Sequence, residues 1–220
     1  SYTSQVCTTC VVRMRFVQKD LKCCICKQEN TTIYCTKALG SYTPGFVALE
    51  ARRQSGHLMT YHDLLDAWVD DDVLLASLTK LTALHCPECT KEAGGDDHES
   101  PIFHSLAALR RHLREIHRQQ FCDLCLKHRQ VFLGEQSRYT SKELEIHLTK
   151  GDTSISHSAL CDTNFKGHPM CRFCRKRFYD DSELYTHMER QHEHCHICRQ
   201  RSAGSYTYYK DYHDLHRHFT

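Results

Sequence analysis

The stretch Cys171–His192, CRFCRKRFYDDSELYTHMERQH, decides the reading of this chain. Two cysteines stand with two residues between them; twelve residues follow, then two histidines with four between them. A tetrahedral zinc ion takes two thiolates from such a tight knuckle and two imidazoles from one helix face. A loosened last helical turn lets His187 and His192 aim at one ion. Phe178 and Leu184 fall where so small a unit needs its apolar core. The spacing predicts a two-Cys two-His zinc finger.

Working outward, the 220 residues include 15 Cys and 18 His, far above ordinary usage. Mean hydropathy is low, −0.58, so several small metal-stapled units are expected in place of one large apolar core. Twelve cysteines form six C-x-x-C pairs: Cys7/Cys10, Cys23/Cys26, Cys86/Cys89, Cys122/Cys125, Cys171/Cys174 and Cys195/Cys198. Cys24, Cys35 and Cys161 remain. Regular pairs followed by spaced histidines argue for zinc in a reducing compartment over a disulfide framework. The net charge is only +2, which excludes a broadly electrostatic nucleic-acid binder; any such contact must come from local patches. No signal peptide and no membrane-length apolar run is seen. A motif begins almost at Ser1, so the chain reads as part of something longer.

Residues 1–30 carry two knuckles, VCTTCVVRMRF and CCIC. They fit one four-Cys ribbon built from Cys7, Cys10, Cys23 and Cys26. They equally fit the back half of a cross-braced RING, in which adjacent knuckles serve different ions. Residues 31–85 are a connector: WVDDDVLL reads as strand, acidic turn and apolar element, with helical spacing at Leu74, Leu78 and Leu81. Asp70, Asp71 and Asp72 read as a solvated turn. Residues 86–117 form a first finger from Cys86, Cys89, His112 and His117, with a long polar loop inside it. Residues 122–168 form a second, from Cys122, Cys125 and His147, with a long insertion. Its fourth ligand is His168 by preference over His157, with Cys161 a further choice, and His128 reads as a surface residue. The third finger is 171–192, from Cys171, Cys174, His187 and His192. The fourth, 195–220, offers Cys195, Cys198 and His218; His213 completes a set on paper, but a ligand beyond Thr220 is preferred.

The repeat of knuckle and Leu-x-x-His occurs four times: Leu109/His112, Leu144/His147, Leu184/His187 and Leu215/His218. Links such as RQQF, PM and EH are very short. The expected fold is therefore a small metal-stabilised α+β protein: tandem two-Cys two-His fingers in a compact array, preceded by a partial RING-like module.

All four-ligand sites read as structural, because none keeps an open position for a water nucleophile. No His-Glu-x-x-His, deaminase signature or phosphate loop is present. Sequence-specific DNA reading is disfavoured, since loops vary and linkers are too short for three base pairs per finger. Basic clusters remain: Arg110, Arg111, Arg114 and Arg118; Lys127 and Arg129; Arg172, Arg175, Lys176 and Arg177. Together with tyrosines near the end, they suit phosphate contact on a shaped RNA-containing surface more than bare DNA.

The runs CPEC with LRRHLREIH, FCDLCLKHRQVF, GHPMCRFCRKRFYDDSELYTHMERQHEHCHIC and YYKDYHDLHRHF resemble the RING-plus-zinc-finger E3 ubiquitin ligases that act on collided ribosomes. VCTTCVVRMRF with CCIC resembles the end of that family's RING. The likeness covers 7–26 and 67–220, and 27–66 match poorly. It implies a cytoplasmic RING-type E3 that recruits a ubiquitin-charged E2. Ubiquitin then passes to lysines of small-subunit ribosomal proteins, and the fingers engage the ribosome through rRNA or ribosomal proteins. No membrane and no sequence-specific DNA are implied. Lys27, after the last RING cysteine, is a candidate ubiquitin contact; no residue is catalytic in the covalent sense. The family places a Cys and a His at the positions of Tyr2 and Ser4, which puts the second RING zinc in doubt and predicts that this stretch alone is inactive. The competing reading is a non-enzymatic finger module that binds RNA or protein.

Overall fold

The computed structural model describes residues 4–37, 45–56, 59–92, 101–152, 165–201 and 207–219. They form a small α+β protein that divides into two units. The first holds Ser1–Arg118 with Arg129–Gln136, the second Gln119–His128 with Ser137–Thr220.

The first unit begins with α1 (Thr8–Val12), which runs directly into a π-helical turn, Arg13–Val17. β1 (Ile33–Cys35), β2 (Thr60–His62) and β3 (Ala67–Val69) form a sheet in the order β1-β3-β2. β1 runs parallel to β3 with Tyr34 opposite Trp68, and β2 runs antiparallel to it. The strand, acidic turn and apolar element expected from WVDDDVLL are β3 and α3 (Asp72–Thr82). Asp71 caps that helix by accepting from the Leu74 N–H at 2.8 Å, so the acidic turn has a local use.

This connector makes a core of its own. Val12, Cys35, Leu65, Ala67, Val69, Leu78 and Phe132 are buried together. Phe132 comes from the insertion of the second Cys/His repeat, where Arg129–Gln136 belongs to the first unit. Arg13 reinforces this by pairing with Glu135 at 2.5 Å. Arg15 is buried, with its guanidinium donating to the carbonyls of Leu65, Asn30 and Thr31. A buried guanidinium is tolerated only when its donors are met, and here three main-chain oxygens meet them. Between β1 and β2 lies α2 (Phe46–Gln54). After α3 come α4 (Pro87–Glu92) and α5 (Leu106–Ile116), which Ser105 caps through Ala108 N–H. Leu109 and Leu113 give α5 its buried face.

The second unit repeats one theme: two very short strands, then a helix. β4 (Gln120–Phe121) pairs with β5 (Arg138–Tyr139) ahead of α7 (Ser141–Lys150), with α6 (Asp123–His128) between the strands. A Met170–Arg177 bridge precedes α8 (Asp181–Gln191). β6 (Glu193–His194) pairs with β7 (Tyr208–Tyr209) around α9 (His196–Arg201), ahead of α10 (Tyr212–Phe219). In the first unit a His85–Ile102 bridge stands before α5 in the same way. Caps start these helices as expected: Thr140 forms a capping box with Glu143, Asp180 accepts from Glu183 N–H, and Asp211 from Asp214 N–H. Among the described residues no helix is long and apolar enough to cross a membrane.

Candidate metal centres

The short strands and helices converge on four clusters whose ligand atoms lie within 4.8 Å of one another. They are Cys86/Cys89/His112/His117, Cys122/Cys125/His147/His168, Cys171/Cys174/His187/His192 and Cys195/Cys198/His218. The knuckle supplies two thiols; a helix supplies His112, His147, His187 or His218, and His117 and His192 follow just past a helix end while His168 comes from the chain ahead of the third knuckle. Sulfur to Nε2 separations are 3.3 and 3.2 Å from Cys89 to His112 and His117. They are 3.4 Å for Cys125–His147, 3.3 Å for Cys125–His168 and 3.4 Å for Cys122–His168. In the third cluster both Cys171–His192 and Cys174–His187 are 3.3 Å, and Cys198–His218 is 3.2 Å. Tetrahedral bonds to zinc would set sulfur and nitrogen about 3.6 Å apart. The donor sets therefore fit a tetrahedral ion and are consistent with zinc.

The outer ring nitrogens support the same reading. A ligating imidazole needs its other nitrogen held so that the metal-facing one keeps a free lone pair. His168 Nδ1 lies 3.0 Å from the Tyr179 carbonyl, and His192 Nδ1 lies 3.0 Å from that of Lys210. His147 Nδ1 meets the Asp152 carboxylate at 2.5 Å. Aromatic rings shield the imidazoles: Phe178 stacks on His187 at 4.5 Å and Tyr139 on His147 at 4.5 Å. Of the two apolar residues expected around the third cluster, Phe178 and Leu184, both pack beside Cys171 and Met188.

His192 reaches its cluster because α8 stops at Gln191. His192 itself is extended, at φ −133° and ψ 152°, so the expected loosened turn is an abrupt exit. His168 arrives differently. An ideal Cβ on Gly151 (φ +84°) would lie 1.8 Å from the Phe165 carbonyl oxygen, and one on Gly167 (φ +92°) 2.6 Å from the Thr149 carbonyl carbon. These two glycines let the chain after α7 and the chain before His168 cross almost in contact. Arg177 locks the crossing by donating to the carbonyls of Leu148 and His168 at 2.7 and 2.9 Å.

The knuckles come in two forms. Cys86, Cys122 and Cys195 stand just before α4, α6 and α9, and Cys7 just before α1. Cys23 and Cys171 open tight hairpins instead. Their hydrogen bonds correspond one for one: Lys27 N–H to Cys23 O and Arg175 N–H to Cys171 O, Cys23 N–H to Gln28 O and Cys171 N–H to Lys176 O. Lys27 and Arg175 both sit at positive φ, 61° and 57°. Amide N–H groups of Cys26 and Ile25 hold the Cys23 thiol down at about 7. For Cys171 burial works upward, but the N–H groups of Cys174 and Phe173 bring it to about 6. The first thiol of each hairpin is thus biased toward the metal-binding thiolate.

Cys7, Cys10, Cys23 and Cys26 do not join in one cluster: no three of these thiols lie within the distance that unites the other sets. Among the described residues the two pairs stand apart. Lys27, just after Cys26, is exposed. His213 stays outside the fourth cluster, whose members among the described residues are three. His157 and Cys161 lie outside the described residues. His128 is no free surface residue: its ring stacks on Tyr179 at 4.9 Å, and its Nε2 lies 3.3 Å from Glu183. Of the basic residues, Arg111, Arg114, Arg118, Lys127, Arg172, Arg175 and Lys176 are exposed, whereas Arg110, Arg129 and Arg177 are half-buried. Arg177 is spent on internal carbonyls, and Arg172 donates to Tyr208 O at 2.8 Å. The sequence reading missed Asp152, Arg15 and the glycine crossing. The signal for the first was the KGD run that closes α7.

These centres define the class: a small α+β protein with repeated Cys/His clusters able to hold metal ions. Over nearly its whole length the chain is similar to proteins named E3 ubiquitin-protein ligase, ZNF598 and Hel2 among them. It is 32% identical to human E3 ubiquitin-protein ligase ZNF598 over 214 residues, 97% of this chain and 21% of that protein. It is 33% identical to E3 ubiquitin-protein ligase HEL2 of Saccharomyces cerevisiae over 217 residues, covering 98% of this chain and 30% of that protein. For hel2 of Schizosaccharomyces pombe the identity is 31%, over 98% of this chain and 27% of the relative. The chain thus spans between a fifth and a third of these relatives. The alignments include residues 27–66, which the motifs alone leave out; that segment carries a sheet core in place of a ligand pattern. No family model matches the chain. No solved structure matches it either.

Proposed function

We propose that this chain is the RING-adjacent zinc-finger part of a RING-type E3 ubiquitin ligase of ribosome-associated quality control. The observation that carries the reading is alignment along nearly the whole chain with proteins named E3 ubiquitin-protein ligases. The four Cys/His clusters support structural zinc, each in a finger of two short strands and a helix. Cys7/Cys10 and Cys23/Cys26 standing as separate pairs is what a cross-braced RING requires of its last two knuckles. An E3 of this type contributes positioning: the substrate lysine attacks the E2–ubiquitin thioester, an isopeptide bond forms and the E2 thiol leaves. Exposed Lys27 is the residue here best disposed to touch ubiquitin. The exposed arginines and lysines of the finger helices and knuckles suit rRNA phosphates, with ribosomal proteins of the small subunit as targets.

The test is discharge of ubiquitin from a charged E2 by the full-length protein. Lysine-dependent discharge is expected, and chelation of zinc should abolish it. No discharge with any E2, alongside salt-sensitive binding to structured RNA, would instead establish the non-enzymatic finger module.

A further inference from the structure

The second cluster has a carboxylate behind one of its metal-facing histidines. His147, Asp152 and Tyr139 are all buried, His147 and Asp152 completely. Asp152 Oδ1 is 2.5 Å from His147 Nδ1, and the Tyr139 hydroxyl donates to both carboxylate oxygens, at 3.3 and 3.2 Å. His168 and His192 use main-chain carbonyls at the same position of the ring. A carboxylate with no solvent contact is costly unless its hydrogen-bond capacity is met. Here a hydroxyl and an imidazole N–H meet it, and both come from the site itself.

We propose that Asp152 is a positioning residue for the second metal centre. It fixes the Nδ1–H tautomer of His147, turns Nε2 toward the ion and raises its basicity, while Tyr139 holds the carboxylate in place. The arrangement is a carboxylate–histidine–metal relay. Gly151 belongs to the same device: its positive φ carries the chain from α7 straight back over His147, so Asp152 arrives under the ring. The inference rests on the reading of this cluster as a zinc site.

The experiment is native mass spectrometry of the whole chain during a chelator titration, with circular dichroism to monitor folding. In Asp152→Asn one ion should leave at chelator concentrations about 10–100-fold lower than in the parent, with the other ions unmoved. Tyr139→Phe should shift the same ion by less. In the zinc-loaded parent, nitrogen-15 spectra should show His147 protonated at Nδ1, a readout that packing alone does not produce and that needs no variant to fold. Superimposable release curves for Asp152→Asn, or His147 protonated at Nε2, would overturn the proposal. If Cys122→Ser loses no ion, the cluster is not a metal centre, and the zinc reading falls together with the inference.

Discussion

Residues 22–29 and 170–177 fold into the same object. Each is a hairpin knuckle closed by the same two main-chain hydrogen bonds, bridged at its ends, and turned by a basic residue at positive φ. Their surroundings are opposite. Against the second knuckle, α8 brings His187 and then His192. The chain leaving the first is pinned by Arg15, which donates to the carbonyls of Asn30 and Thr31. A preorganised pair of thiols is thus half of a metal centre. The other half is a matter of which residue the tertiary fold delivers.

Breaking the second knuckle's advantage should have the largest effect. In His187→Ala the Cys171/Cys174 pair keeps its turn but loses a ligand, which makes it resemble Cys23/Cys26. A structural zinc contributes about 10–16 kcal/mol of apparent binding free energy in isolated finger peptides. Native mass spectrometry should therefore find one ion fewer, and hydrogen exchange should show residues 170–192 unprotected. Retention of every ion would mean that the knuckle itself holds the metal, and the contrast between the two would vanish.

The converse change should add an ion. The family resemblance assigns a Cys and a His to the positions of Tyr2 and Ser4. Tyr2→Cys combined with Ser4→His should raise the zinc count by one and resist chelation in the way the third cluster does. An unchanged count would show that the first knuckle is misdirected as well as short of ligands.

The extent to which these features were legible follows from the range of the interactions. Three complete ligand sets could be read from spacing because knuckle and helix are local, and even His168 was recovered across a long insertion. Leu109, Leu184 and Phe178 were legible for the same reason: a small unit has few places for an apolar residue. Phe132 was not, since its partners Val12, Leu65 and Leu78 are distant in sequence and carry no metal-like signature. Asp152 was passed over and Arg177 was read as a phosphate contact, yet both are used internally, one on His147 and one on the Leu148 and His168 carbonyls. The likeness of the two knuckles was hidden because CCICKQ and CRFCRK share only their cysteines and a following base. What they share physically is a left-handed residue, and that is invisible in a code where lysine and arginine are usually right-handed.

That residue offers the smallest and sharpest test. A non-glycine residue in the left-handed region costs about 1–2 kcal/mol, while glycine loses roughly 0.5–1 kcal/mol in chain entropy. Lys27→Gly and Arg175→Gly should therefore each be neutral to stabilising, by at most about 1 kcal/mol, a rise of roughly 2–4 °C in melting temperature for a chain of this size. The basic side chains buy nothing for the fold at these turns, so their presence calls for a use outside it. Arg175 sits on a finger and Lys27 beside the RING-like pair. Lys27→Gly should slow ubiquitin discharge by the full-length protein while Lys27→Arg preserves it, and Arg175→Gly should leave discharge untouched but weaken binding to ribosomes. If Lys27→Gly discharges ubiquitin as well as the parent, the two knuckles are alike in their surfaces too, and only their ligands separate them.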